Sequence, residues 1–107
     1  MVNITFFKSN KEQILGFSIE GHAGVEVCGK DIVCAAVSSA VYLVLNSITD
    51  VLRLKPAVLE VFSGRILFKL SSKDAHLCNN FLQGLRLHLV GISKQYPENV
   101  SLNYKKI

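Results

Sequence analysis

His22 and Cys34 stand twelve residues apart in the segment Gly21 to Ser39, GHAGVEVCGKDIVCAAVSS. The histidine follows an alternating apolar stretch, and the cysteine falls where an uncharged, helix-forming run begins. A free thiol with a pKa of about 8.5 is mostly protonated at neutral pH, but a helix N-terminus and a neighbouring imidazolium both favour the thiolate, which is the nucleophile. His22 within reach of Cys34 would take the thiol proton and later deliver it to a leaving amine. The unpaired N–H groups at the start of the helix would face a developing oxyanion. These are the roles of a cysteine peptidase. The same two residue types also suit a packed helix cysteine and an unrelated loop histidine, and spacing alone leaves both readings open.

Two other chemistries compete for this segment. His22, Cys28 and Cys34 recur every six residues and would offer three metal ligands, which is the pattern of a metal-binding regulator. A structural zinc site asks for four ligands in close Cys pairs, and no fourth is evident, so no metal is expected. The glycines do not follow the spacing of either common phosphate-binding loop, and Asp31 would repel an anion; no cofactor is expected. His76, Cys78 and His88 lie in a later helix without a ligand cluster and read as surface or partly buried residues. Tyr42 and Tyr96 read as core or interface aromatics.

The elements that must position these groups follow from periodicity. Val2, Ile4 and Phe6 alternate with polar residues, as do Leu15, Phe17 and Ile19, which predicts a hairpin of two half-buried strands. Three glycines, at 21, 24 and 29, make the connection to Lys30 a loop. Asp31 is positioned to cap a helix beginning near Ile32, with Cys34 on its first turn. Val37, Val41, Val44, Ile48 and Val51 form the inward stripe of that helix, and Lys55-Pro56 ends it. Ala57 to Phe62 and Arg65 to Leu70, separated by Ser63-Gly64, read as a second hairpin. Ser71 or Ser72 caps a second helix with a stripe of Leu77, Phe81, Leu85, Leu89, Ile92 and Tyr96, closed by Pro97. Val100, Leu102 and Tyr104 supply a last strand. The fold class is α+β, in the order ββαββαβ, with two helices packed on one face of a largely antiparallel sheet.

The chain has 107 residues and a mass of 11.8 kDa, so residues 1–107 are expected to form a single domain. Surface scaling at this mass gives roughly 5,900 Å² for the folded chain. The mean hydropathy of +0.34 is high for so small a soluble protein, which points to a homodimer that covers part of the apolar surface. Asp31 to Asp50 encloses no charge, but Ser38, Ser39, Asn46, Ser47 and Thr49 interrupt it, so a buried helix rather than a membrane span is expected. The net charge of +4 is spread along the chain, without the basic run that would track nucleic acid. Met1 to Asn10 lacks the pattern of a secretory signal, and the three cysteines do not form a disulfide framework. The expected location is the cytoplasm.

Gly21-His22-Ala23-Gly24, then Gly29 and Asp31-Ile32-Val33-Cys34-Ala35-Ala36-Val37-Ser38, resemble the signature of the ribosomal-processing cysteine protease family Prp of Firmicutes and related bacteria. The resemblance extends in length and element order to the whole chain. It implies a cytoplasmic, homodimeric cysteine endopeptidase. Its substrate would be the precursor of a large-subunit ribosomal protein, the twenty-seventh, whose short N-terminal extension is cut after an aromatic residue during ribosome biogenesis. The family's His and Cys form the catalytic dyad, and they match His22 and Cys34. Asp31 would cap the helix or orient the imidazole. Ser38 would bond the site or its own i−4 carbonyl. Gly21, Ala23, Gly24 and Gly29 would belong to a substrate loop. Cys28 departs from the signature; it is an ordinary loop residue or a thiol that forms a reversible disulfide with the nucleophile. A non-catalytic module bound to the ribosome, recognising nascent protein or ribosomal RNA, is the alternative from another class.

Overall fold

Alternating side chains put Val2, Ile4 and Phe6 of strand β1 (Val2–Lys8) into the core beside Phe17 and Ile19 of strand β2 (Ile14–Glu20), and the two strands pair antiparallel. This is the expected hairpin with one difference. The register slips between Phe7 and Lys8, so Ile14 rather than Leu15 is fully buried at the base of β2. A bulge of this kind reverses which side chain faces inward without changing the alternation beyond it. The computed structural model describes residues 1–21 and 30–107, and for Lys30 and Asp31 the backbone alone.

Beyond β2 the sheet continues with β4 (Arg65–Lys69) and then β3 (Val58–Phe62), both antiparallel to their neighbours. Strand β5 (Val100–Lys106) pairs with the other side of β1 in parallel, giving the order β3-β4-β2-β1-β5. The second hairpin turns at Ser63-Gly64, where Gly64 takes a φ of +78° as a tight hairpin demands. Phe17 links the aromatic rings of the sheet centre, 6.1 Å from Phe6 and 5.1 Å from Phe68 between centroids. Each such ring, fully buried, contributes about 1.5–3 kcal/mol relative to exposure.

Helix α1 (Lys30–Asn46) leads from β2 towards β3, and α2 (Ser72–Leu77) with α3 (Asn79–Gln95) leads from β4 to β5. Their buried residues join those of the strands in one core, so all three helices cover the same face. The order is the expected ββαββαβ with its second helix in two pieces. Ser71 caps α2, its Oγ accepting from the Asp74 N–H at 3.2 Å, and the chain bends at Cys78 before α3 starts. The inward stripe runs unbroken through the bend but is turned from the expected one. Ala75, Cys78, Leu82, Leu85, Leu89 and Ile92 are buried, whereas Leu77 and Phe81 are 60% and 41% exposed. Cys78 is therefore a core residue, not a surface one.

The inward stripe of the first helix is Val33, Val37, Val41, Leu45 and Ile48; Val51 is 76% exposed and Val44 is only half-buried. After Asn46 the helix widens into a π turn, Ser47–Val51, closed by the Leu52 N–H donating to the Ser47 carbonyl at 2.9 Å. Arg53 then adopts a φ of +57° and ends the helix before Pro56 is reached. By length and apolarity Ile32–Val51 would pass as a membrane span, so the interrupting polar residues do not by themselves exclude one. In the fold its inward stripe is the centre of the core.

Candidate active site

Strand β2 delivers the chain to the site. At its end Gly21 takes a φ of +85°, and its N–H donates to the Gly64 carbonyl at 2.9 Å. A Cβ at Gly21 would press on the Met1 carbonyl oxygen, so backbone geometry alone accounts for this glycine. His22, Ala23, Gly24, Cys28 and Gly29 lie outside the described residues. The dyad, the loop assignments and the His22, Cys28 and Cys34 ligand set fall there with them. Among the described residues no group of three His, Cys, Asp or Glu side chains is arranged to hold a metal.

Helix α1 is described from Lys30. Asp31 is the second residue of the helix as described, and its side chain lies outside the described residues. Cys34 is the fifth, and its N–H already falls within the helical ladder. Cys34 is half-buried, packed against the core with a free thiol. Ser38, one turn on, is also half-buried. Ser47 and Thr49 bond the carbonyls of Leu43 and Leu45; among the described residues Ser38 makes no such bond to its i−4 carbonyl.

The periphery of α1 divides into three sectors. The inward stripe meets the sheet. Ala36, Ser39, Ala40, Leu43 and Val44 line one flank, where with Leu85 and His88 of α3 they border a groove of about 450 Å³. Cys34 lies about 200° around the helix from Ala36, so Cys34 and Ser38 share the opposite flank. Helix α3 contacts β5 and β2, which places it over the β1–β5 half of the sheet. The flank with Cys34 is the one turned away from that groove. Sequence periodicity finds the stripe but not this orientation, because the position of α3 decides it. His76 and His88 are exposed on their helices, and Tyr96 is half-buried.

Fold and site together define a small α+β protein with a half-exposed free thiol near the start of its central helix. The chain belongs to the cysteine protease Prp family, whose sequence profile matches residues 1–101, and it is a cysteine protease. It is 28% identical over 110 residues to the ribosomal processing cysteine protease Prp of Staphylococcus aureus, covering 98% of this chain and all of that one. The Bacillus subtilis protein of the same name is 25% identical over 105 residues, 94% of each chain. The crystal structure of an essential ribosomal processing protease Prp from S. aureus in complex with a substrate peptide shares the fold, with a TM-score of 0.87 at 23% identity over 98% of this chain and all of that one. The structure of SMU.848 from Streptococcus mutans gives 0.85 at 22% identity, over 100% of this chain and 96% of that one.

Proposed function

We propose that this protease removes the N-terminal extension from the precursor of a large-subunit ribosomal protein, the twenty-seventh, with Cys34 as nucleophile and His22 as its base and acid. The observation that carries the reading is the position of Cys34: a free, half-exposed thiol one turn inside the N-terminus of α1, on the flank that α3 leaves open. The names of the curated relatives, ribosomal processing proteases, support the substrate class. His22 takes the thiol proton as sulfur adds to the scissile carbonyl, and the unpaired N–H groups of the first turn face the oxyanion. Collapse of the tetrahedral adduct breaks the C–N bond, and the imidazolium gives its proton to the departing amine. Water activated by His22 then hydrolyses the thioester and returns the thiol. The cycle needs no metal and no cofactor.

The protease works in the cytoplasm as a homodimer, and cleavage itself needs neither nucleic acid nor membrane. Ile32, Leu43 and Leu87 are exposed, which supports association through the helical layer.

The test is incubation with the organism's own ribosomal precursor and mass measurement of the product. The wild-type chain should shorten it at one bond. Cys34→Ala should lower the rate at least about a thousandfold with an unchanged melting curve, and His22→Ala should slow alkylation of Cys34 at neutral pH. Undiminished cleavage by Cys34→Ala would refute the proposal.

A further inference from the structure

Strand register collects lysines at one end of the sheet. Lys8 pairs with Lys106 and Phe7 with Lys105 across β1 and β5. Phe7 also pairs with Gly16 of β2, and Gly16 with Lys69 of β4. Lys8, Lys69, Lys105 and Lys106 therefore stand on one end of four neighbouring strands. Lys11 joins them from the turn between β1 and β2, where its N–H donates to the Ser9 Oγ at 3.2 Å. Lys73 joins from α2, because Gln13 beside the start of β2 donates through Nε2 to the adjoining Ser72 carbonyl at 3.2 Å. The cluster lies at the end of β2 opposite Gly21.

The carboxylates beside these six lysines are Glu12 and Asp74. Glu12 is shared between Lys8, at 3.4 Å, and Lys106, at 3.6 Å. The remaining side chains of the chain hold six cations and six anions, so the whole net charge of +4 belongs to this end. Along the sequence only Lys105 and Lys106 are adjacent; the register assembles what no single run announces. Lys11, Lys73, Lys105 and Lys106 are exposed, and Lys8 and Lys69 half-exposed.

The apolar residues nearby are mostly covered. Phe7, Ile14 and Leu70 are buried, and the Lys69 ammonium lies 5.0 Å over the Phe7 ring. Tyr104 is 46% exposed, with the Lys8 ammonium 4.4 Å from its ring centroid. A protein partner asks for an apolar centre to its interface, and a membrane surface for an apolar face to insert. Grouped cations around one open aromatic ring suit phosphates and a stacked base.

We infer that this lysine end is a binding site for RNA, contacting the phosphate backbone through Lys8, Lys11, Lys69, Lys73, Lys105 and Lys106 and a base through Tyr104. The inference rests on the reading of the substrate as a ribosomal precursor: binding there holds the protease on the RNA among which that precursor is assembled. Because the lysines belong to the end of β2 from which the chain does not run on to α1, the site is separate from the cleavage machinery.

The experiment measures binding of a fluorescently labelled single-stranded RNA of about 20 nucleotides to the full chain by anisotropy over a range of salt. Affinity should fall with salt at a logarithmic slope of about −0.7 for each phosphate neutralised. Lys105→Glu with Lys106→Glu, and separately Lys11→Glu with Lys73→Glu, should each weaken binding at least about tenfold, and Tyr104→Leu at least about fivefold. Arg86→Glu with Lys94→Glu on α3 makes the same change in net charge and should leave affinity close to the wild type, as should Lys105→Arg with Lys106→Arg. Every variant should cut the precursor's short N-terminal peptide at the wild-type rate. Absence of RNA binding at low salt, or equal weakening by the α3 pair, would overturn the inference. So would tighter binding to polyglutamate or to vesicles of anionic phospholipid than to RNA. Failure of the substrate reading is read separately, by a precursor that the wild type leaves uncut while RNA still binds.

Discussion

Gly16 of β2 lies against the Phe68 carbonyl of β4 so closely that a Cβ at position 16 would fall on the carbonyl oxygen. This contact brings the two central strands together beside the Phe17 and Phe68 rings. The obstacle is backbone held in the middle of a sheet, so it cannot swing aside as a side-chain tip would. Gly16→Ala is expected to destabilise the fold by about 3 kcal/mol, read as a drop of more than about 10 °C in melting temperature. An alanine variant that melts with the wild type would show that β2 and β4 can separate freely.

Gly21 carries a milder version of the same constraint. Its φ of +85° costs an alanine about 1–2 kcal/mol, and the Met1 carbonyl adds a steric contact. Gly21→Ala should lower the denaturation midpoint in urea without changing the m-value, because the end of β2 is strained while the core beneath it stays packed. The loss should be smaller than for Gly16→Ala, where neighbouring strand backbone is in the way.

Much of this architecture was legible in the chain because its signals are local. Alternation announced both hairpins, Ser63-Gly64 the second turn, and the uncharged run the central helix. What escaped depends on partners far away in sequence. The slip that buries Ile14 is set by pairing between β1 and β2, and Arg53 stops the first helix although neither Gly nor Pro marks the place. Cys34 was visible as a thiol near a helix start, but its flank is defined only once α3 occupies the other side. Leu59 and Val61 were assigned to a strand, and their exposure follows from its terminal place in the sheet, which only the strand order reveals. VLEVF, with so little polar alternation for a terminal strand, is the one signal that pointed there.

Cys78 and Cys34 should behave as different thiols. Burial pushes the Cys78 thiol up from its ordinary value, and the Asp74 carboxylate adds to the shift. At neutral pH iodoacetamide should modify Cys34 in the folded protein and reach Cys78 only after denaturation, as peptide mass analysis would report. The native state holds Cys78 protonated more tightly than the unfolded chain does, so its contribution to stability is complete below the ordinary value of about 9.0 and declines as pH rises above it. Cys78→Ala should flatten that alkaline decline, and an equally steep decline in the variant would assign it to another group.

One inward stripe decides which leucines of the second helical segment support the fold: Ala75, Cys78, Leu82, Leu85, Leu89 and Ile92 are spaced three and four residues apart. A helix turned to bury Leu77 and Phe81 would put Ala75 and Leu82 more than about 100° from its inward face. In the structure the Cys78 N–H is shared between the Asp74 and Ala75 carbonyls, at 3.0 and 3.2 Å, and the chain restarts as α3 with Leu82 inward. Leu82 is fully buried, whereas Leu77 is 60% exposed. Leu82→Ala should then cost about 2–5 kcal/mol, while Leu77→Ala should stay within about 0.5 kcal/mol of the wild type. Chemical denaturation of the two variants separates the arrangements directly. A larger loss for Leu77→Ala would restore the stripe expected from the sequence.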